Sequence, residues 1–263
     1  MAGPRDPAGS RRSAETAEAA HWDAIASEHG DTFVARAEAS TNDPVHDAHA
    51  RALGDLSGRR VLDLGCGMGL WTTAMAGRGA DVCAMDISPA SVETTRKRAE
   101  RLGLSRKTAP VVGSAHALPF RDGAFDAVSG HLILHHLDAG LAGREVARVL
   151  RKDGRAVFTE NSARSGILMF ARRFLCGRFG IPKWSTPGEY PLRKCDLRRL
   201  SAPFSRMRVE HPRFDWFFLL DAKLFGFRNL RASRILSFLD HSTTRIAPFM
   251  RKLAYYQVVI LDR

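Results

Sequence analysis

The residues best placed to do chemistry are two aspartates around a glycine-rich turn. The run VLDLGCGMG at 61–69 puts Asp63 two residues before the first glycine, and Asp86 closes the next apolar run. A glycine turn that ends a strand and opens a helix lets a nucleotide-like ligand approach the backbone. Asp63 is placed to pair with an ammonium group, from which a pyrophosphate on a helix N-terminus would gain nothing. Asp86 stands where an acid can accept both ribose hydroxyls. As strand-end turn caps, the same two acids would be structural only. A second set is His131, His135 and His136 in SGHLILHHL, with Glu160 ending a later strand. Histidine titrates near neutrality, so any of the three could take a phenol or hydroxyl proton. His131 is the best placed toward a pocket, and one of the HH pair would point to a helix surface. The HH pair has no nearby cysteine or acid at ligand spacing, so no metal is expected.

The elements that must hold these residues follow from the rhythm of the chain. From Arg59, short apolar runs alternate with helical stretches: RRVLDL, LWTTAMAGRG, ADVCAMD, SPASVETTRKRAERLG, APVVGS, AFDAVSG, a helix over 138–151, and GRAVFTE. Strand and helix in alternation predict a parallel sheet covered on both faces. Helices are expected at 13–28 and about 44–54. After Glu160 the alternation weakens into a basic, aromatic helix (GILMFARRFLCGRFG), a turn-rich loop and a short helix (RKCDLRRLSAPF). A strand at RMRVEHPRF, a helical stretch over about 216–250 broken at Pro248, and the strand YYQVVILD follow. A strand after an inserted helical region makes the insert a cap on the main domain. The expected organisation is therefore a disordered tail at 1–12, lid helices at 13–54 and a core at 55–160. A basic aromatic cap at 161–250, with a sheet strand near 206–214, and a final strand at 251–263 complete it.

Composition sets further bounds. With 263 residues, 44% of them apolar, the chain can bury a full core. The first twenty residues lack the apolar run of a secretory signal, and no apolar stretch is long enough to span a bilayer. Four scattered cysteines without a CxxC pair fit a reducing, cytoplasmic setting. The net charge of +12 is unevenly placed. Residues 1–163 hold 20 Lys/Arg against 21 Asp/Glu, whereas residues 164–263 hold 20 against 7. A basic surface of this kind attracts phosphate, nucleic acid or anionic headgroups, or it serves only solubility.

The run at 61–69 resembles the first motif of class I S-adenosylmethionine-dependent methyltransferases. AMDIS at 84–88 is similar to that family's ribose-binding strand end, VVGSAHALPFRDGAFDAVSGHLILHHL at 111–137 to its central stretch, and RVLRKDGRAVFTE at 148–160 to its fifth-strand motif. The resemblance covers roughly residues 55–160. It implies a Rossmann-like, doubly wound α/β fold of seven strands, the last antiparallel, with an α-helical cap inserted before the last strands. It also implies S-adenosyl-L-methionine as cofactor. Asp63, Gly65, Cys66 and Gly67 would line its methionine and ribose, Asp86 would hold the ribose and Ile87 would pack on the adenine. Ser114 and Ala115 would face the adenine amine, and His131 would lie near the sulfonium. The family often has an acid where this chain has Ser114; a hydroxyl still accepts. His131, His136 and Glu160 are the catalytic candidates. His21 and Trp22 resemble a lid helix, although Trp22 could equally anchor a core.

Methyl transfer from a sulfonium needs alignment, a dry pocket and sometimes a base. The expected reaction is transfer to a small or lipid-like acceptor, with anionic and carrier-linked ones included, in specialised-metabolite, lipid or quinone biosynthesis. His21, Trp22, Arg164, Trp184 and Tyr190 are the candidate acceptor contacts. Arg228, Arg231 and Arg234 beside Phe227, Leu230, Ile235 and Phe238 form a basic amphipathic stretch that suits an anionic membrane or the lid of an apolar pocket. An RNA or DNA methyltransferase is the alternative raised by the charge. It lacks an Asn/Asp-Pro-Pro-aromatic signature and a Pro-Cys nucleophile. A cofactor-binding protein that does not methylate, cyclase-like or regulatory, is the third reading. Oligomeric state is not legible.

Overall fold

The computed structural model describes residues 13–27, 43–174, 176, 178, 189–225 and 229–263. Residues 13–27 form helix α1, followed by α2 (Pro44–Leu53), β1 (Arg60–Leu64), α3 (Leu70–Gly77), β2 (Asp81–Asp86), α4 (Pro89–Arg101) and β3 (Thr108–Val112). Then come β4 (Phe125–His131), α5 (Ala139–Val149), β5 (Leu150–Asn161), α6 (Gly166–Phe174), α7 (Lys194–Ser201) and β6 (Arg206–Glu210). The chain ends with α8 (Trp216–Leu220), a π-turn (Asp221–Phe225), α9 (Leu230–Ile246), a 3-10 turn (Pro248–Leu253) and β7 (Tyr256–Asp262).

The helix starts are written locally. Asp43, Ser88 and Asp138 accept backbone N–H bonds at the N-termini of α2, α4 and α5, and proline follows the first two caps. Each such cap stabilises a helix by about 1 kcal/mol. The seven strands lie in the order β3-β2-β1-β4-β5-β7-β6. β1 to β5 run parallel, and β7 pairs antiparallel with both β5 and β6. Lying inside the sheet, β7 buries Gln257 to Leu261 in succession, which explains its continuous apolar run. Period-two alternation splits the core. Leu62, Leu64, Val128 and Phe158 face α5 and α7, while Val61, Val82, Ala127 and Val157 face α2 and α3. α5 and α7 pack closely: a Cβ on Gly143 would collide with the Leu200 carbonyl oxygen.

The expected α/β sheet with an inserted cap is observed, and its differences are at element ends. The fifth strand begins at Leu150 rather than Gly154, so the helix before it stops two residues early. The sixth strand ends at Glu210, before His211 and Pro212; a proline cannot donate to a ladder. The helical stretch expected over 216–250 is divided: a short α8, a π-turn, and an α9 that ends before Pro248. The tail at 1–12 and most of the loop after the sixth helix lie outside the described residues. No described helix is long and apolar enough to cross a membrane.

Candidate functional site

The sequence RVLDLGCGMG folds into a strand that stops in a turn of left-handed glycines. Gly65, Gly67 and Gly69 take φ of 72°, 50° and 77°, values that a side chain would strain. A Cβ at Gly65 would also strike Ile133 at 2.8 Å, whereas one at Gly67 would meet nothing within 4 Å. The turn therefore packs inward at its first glycine and faces open space at its second. The Met85 carbonyl anchors it from β2, accepting the N–H groups of Gly65 and Cys66 at 2.8 and 3.0 Å. Asp86 then grips both neighbours: Gly67 N–H donates to Oδ2 and Ser88 N–H to Oδ1, each at 2.9 Å. Each carboxylate oxygen keeps a lone pair for a diol. Burial pushes the Asp86 carboxyl upward against those two N–H bonds.

Asp63 lies beneath the turn at 1% exposure. The Thr72 hydroxyl donates to its Oδ2 at 2.5 Å. Burial lifts its carboxyl to about 7, and the nearby Asp86 charge adds to the lift against the Thr72 bond. An arriving cation would reverse that shift. Cys66 is buried, its Sγ 3.6 Å from Thr95 Oγ1, and burial raises the thiol well above its usual range, so it is no nucleophile.

Helix α1 crosses this end of the sheet and holds it by three acids on one helical face. Asp23 accepts from the Ser88 hydroxyl at 2.5 Å and from Ala90 N–H at 3.0 Å. Glu15 accepts from the Ser114 hydroxyl at 2.7 Å. It also meets His116 Nδ1 at 2.7 Å. Asp138 N–H donates to His116 Nε2, so Nδ1 carries the proton and donates to Glu15. Glu18 accepts from Trp22 Nε1 at 2.7 Å and lies 2.8 Å from His136 Nδ1.

A second cluster closes the ends of β4 and β5. Leu132, at φ 56°, reverses the chain after β4, and residues 134–136 form a 3-10 turn that presents both histidines. Glu160, fully buried, accepts Ile133 N–H (2.8 Å) and Leu134 N–H (2.6 Å) on Oε1 and lies 2.7 Å from His135 Nδ1 through Oε2. His135 Nε2 lies 3.6 Å from Glu189 Oε1. Arg172 donates to that same oxygen at 3.1 Å and to the Tyr255 hydroxyl at 2.8 Å. Burial pushes the Tyr255 phenol up to about 12. The rings of His135 and His136 are 4.2 Å apart. Burial pulls the His136 pKa down, but the Glu18 bond and the charges of Glu18, Glu189 and Glu160 outweigh it and leave it raised. His135, His136 and Glu189 each bring one donor atom within 4.8 Å of the others, a spacing open to a cation as well as to a proton.

Residues 62–158 match the family model described as a methyltransferase domain. The chain is 39% identical over 112 residues to a demethylmenaquinone methyltransferase of Beutenbergia cavernae, covering 42% of this chain and 44% of that one. It is 32% identical over 136 residues to a ubiquinone biosynthesis O-methyltransferase of Alkalilimnicola ehrlichii, covering 49% and 55%. It thus spans about half the length of these curated relatives. Its fold is shared by geranyl diphosphate C-methyltransferase from Streptomyces coelicolor, with TM-score 0.55, 16% identity, and 82% and 74% of the two chains covered. The match to methyltransferases thus rests on residues 62–158, set in a fold that the geranyl diphosphate enzyme shares.

Within this methyltransferase fold the residues expected from sequence fall into three places. Asp63, Gly65, Cys66, Gly67 and Asp86 converge on the turn, with Ile87 beside Asp86 and Ser114 and buried Ala115 after β3. His136 and Glu160 meet in the second cluster, joined by His135 and, through Glu18, by Trp22. His131 is elsewhere. Its ring stacks on Trp71 at 3.9 Å and on His49 at 4.0 Å, on the sheet face that α2 and α3 cover. Burial holds its pKa well below the usual value, and neither ring nitrogen has a hydrogen-bond partner. His49 beside it bonds Thr159 and Ser129 and is depressed to about 3 by burial, so both rings are neutral. His21 is exposed next to Trp22. Arg164 and Tyr190 are exposed, and Trp184 lies outside the described residues. Glu15, Glu18 and Asp23 also bond residues of these clusters, and none of the three was singled out from sequence. Their spacing, three and eight residues on from Glu15 along one helix face, was the available signal. Glu189 and Arg172 read only as part of the cap's mixture of charge and rings.

Proposed function

We propose that this protein binds S-adenosylmethionine across the Asp63–Gly67–Asp86 turn and transfers its methyl group to a small or lipid-like acceptor that loses a proton. The observation that carries this is the adjacency of two sites at one end of the sheet. One is a left-handed glycine turn with a diol-accepting aspartate, and the other is a histidine pair keyed by buried carboxylates. The chemistry of the residues fits the cofactor. Asp63 is a buried acid awaiting a cation, Asp86 keeps two free lone pairs, and Gly67 faces open space. Glu15 brings to Ser114 the carboxylate that many relatives carry in place of that serine.

The cofactor supplies an activated methyl on a sulfonium. This chain's own residues orient it, exclude water and move one proton. Glu160 fixes the proton of His135 on Nδ1, which leaves the Nε2 lone pair to act as general base. His136, raised by Glu18, serves better as a proton donor or a fixed positive charge. A base of this kind contributes about 10²- to 10⁴-fold. A phenol- or enol-bearing acceptor such as a quinol fits it, and the names of the quinone-pathway relatives support that class.

The test is incubation with methyl-labelled S-adenosylmethionine and a panel of prenylated quinols, phenols and acyl-carrier thioesters. Label in the organic phase with matching S-adenosylhomocysteine supports the reading. Label confined to added RNA would overturn it in favour of a nucleic-acid enzyme. Conversion of acceptor without S-adenosylhomocysteine would make the cofactor a bystander.

A further inference from the structure

The polarity of α9 is inside out. A helix on a protein surface normally buries its apolar stripe and shows its polar face to water. Here the inward face is polar: Asp240, 4% exposed, accepts the N–H groups of Phe217 and Phe218 at 3.1 and 2.7 Å. Thr244 Oγ1 accepts that of Phe214 at 3.0 Å. These bonds cap α8 and fix the orientation of α9 against the domain. The outward face, at helical spacing, carries Ile235 (61% exposed), Phe238 (66%), Leu239 and Ile246 (84%), and the following turn adds Phe249 (72%).

The exposure is not a general property of the surface. Among the described residues, twelve of the fifteen exposed large apolar side chains lie after residue 163, in the same segment that carries all the excess positive charge. Arg231, Arg234 and Arg245 are exposed along one edge of the apolar stripe. No carboxylate lies within ion-pair distance of them among the described residues. Apolar rings that project outward with unpaired arginines alongside are the pattern of a helix lying in a bilayer interface. A protein partner of matching chemistry would need an acidic rim around an apolar groove. A bilayer with anionic headgroups offers both elements without shape complementarity.

We infer that the α9 face, from Arg231 to Phe249, docks this protein on an anionic membrane surface. The apolar residues enter the headgroup–acyl boundary and the three arginines meet the phosphates. Docking stands independently of the methyl-transfer reading, and it would let a lipid-like acceptor pass from the bilayer to the cap. The experiment is flotation of the full chain with vesicles of phosphatidylcholine alone and with phosphatidylglycerol mixed in, without cofactor or acceptor. The expected result is binding to the mixed vesicles only, weakened by salt. F238S/I246S and R231Q/R234Q/R245Q should each lose most of it, with unchanged melting temperature and S-adenosylhomocysteine affinity. At about fivefold per arginine, the second variant loses on the order of a hundredfold. Absence of binding to mixed vesicles, or equal binding to both, overturns the inference. So does a dimer, by light scattering, that F238S/I246S dissolves, because the face is then an interface between copies.

Discussion

The two ends of this molecule solve opposite problems. Around the glycine turn, every polar group singled out is paired, and each is buried or half-buried. Asp86 holds two backbone amides, Glu160 holds two amides and an imidazole, and the acids of α1 tie that helix to three separate elements. In the cap the pairing turns inward and the apolar side chains turn outward. Charge divides the same way, near balance before residue 164 and strongly positive after it. The first arrangement suits the ordering of a small ligand in a low-dielectric site, where each fixed dipole counts most. The second leaves surface tension unrelieved, which suits a partner that is extensive and unspecific in shape.

That contrast can be broken by substitutions on one side that disturb the other. The largest effect should come from Asp86→Ala, which frees two backbone amides and removes the diol acceptor. Calorimetry with S-adenosylhomocysteine should show a loss of at least about 100-fold, given about 1.5–3 kcal/mol per charged hydrogen bond. If affinity holds, the turn is not the ligand site. Next, Glu160→Gln should lower kcat by about 10²-fold or more with little change in cofactor affinity, because the wrong His135 tautomer is then permitted. Equal activity in a chelator and in its absence would assign the cluster to protons; loss in the chelator alone would assign it to a cation.

Asp63→Asn should separate binding from stability. Its carboxyl rises from 3.8 in the unfolded chain to about 7 in the fold. The stability due to the protonated form is therefore complete below about pH 4 and lost as pH climbs through 7. Asparagine keeps an acceptor for Thr72 without the buried charge. The variant should melt higher than the parent at pH 8, by up to a few kcal/mol of stability, and match it near pH 4, while binding cofactor more weakly. The smallest effect is expected from Glu18→Gln. His136 loses the carboxylate charge that helps to raise it, so its titration, followed by proton NMR, should move to lower pH, with about a tenfold drop in activity at most.

What was legible from sequence was what the chain writes locally. The turn, its flanking acids and the helix caps are each contained within a few residues, and the sheet follows from their repetition. The histidines show where local reading ends. His131 belongs to β4, whose alternation sends it to the α2–α3 face, while His135 and His136 sit beyond the Leu132 reversal on the other side. Histidines four and five residues apart in HLILHHL thus diverge for reasons of parity and one unusual backbone angle. The partners of Ser114 and His135 are ninety-nine and twenty-five residues away, at Glu15 and Glu160. Nothing in a single sequence selects among the acids that could fill those places.

Helix α1 carries one further consequence, for the order in which ligands arrive. Its outer acids grip Ser88 and Ser114, around the proposed adenosine end, and Glu18 grips His136 on the proposed acceptor side. On that assignment, one helix would roof both compartments. A cofactor cannot slip beneath it after an acceptor has settled without lifting the whole rod. Turnover should follow a compulsory sequence, methyl donor first and its demethylated product last.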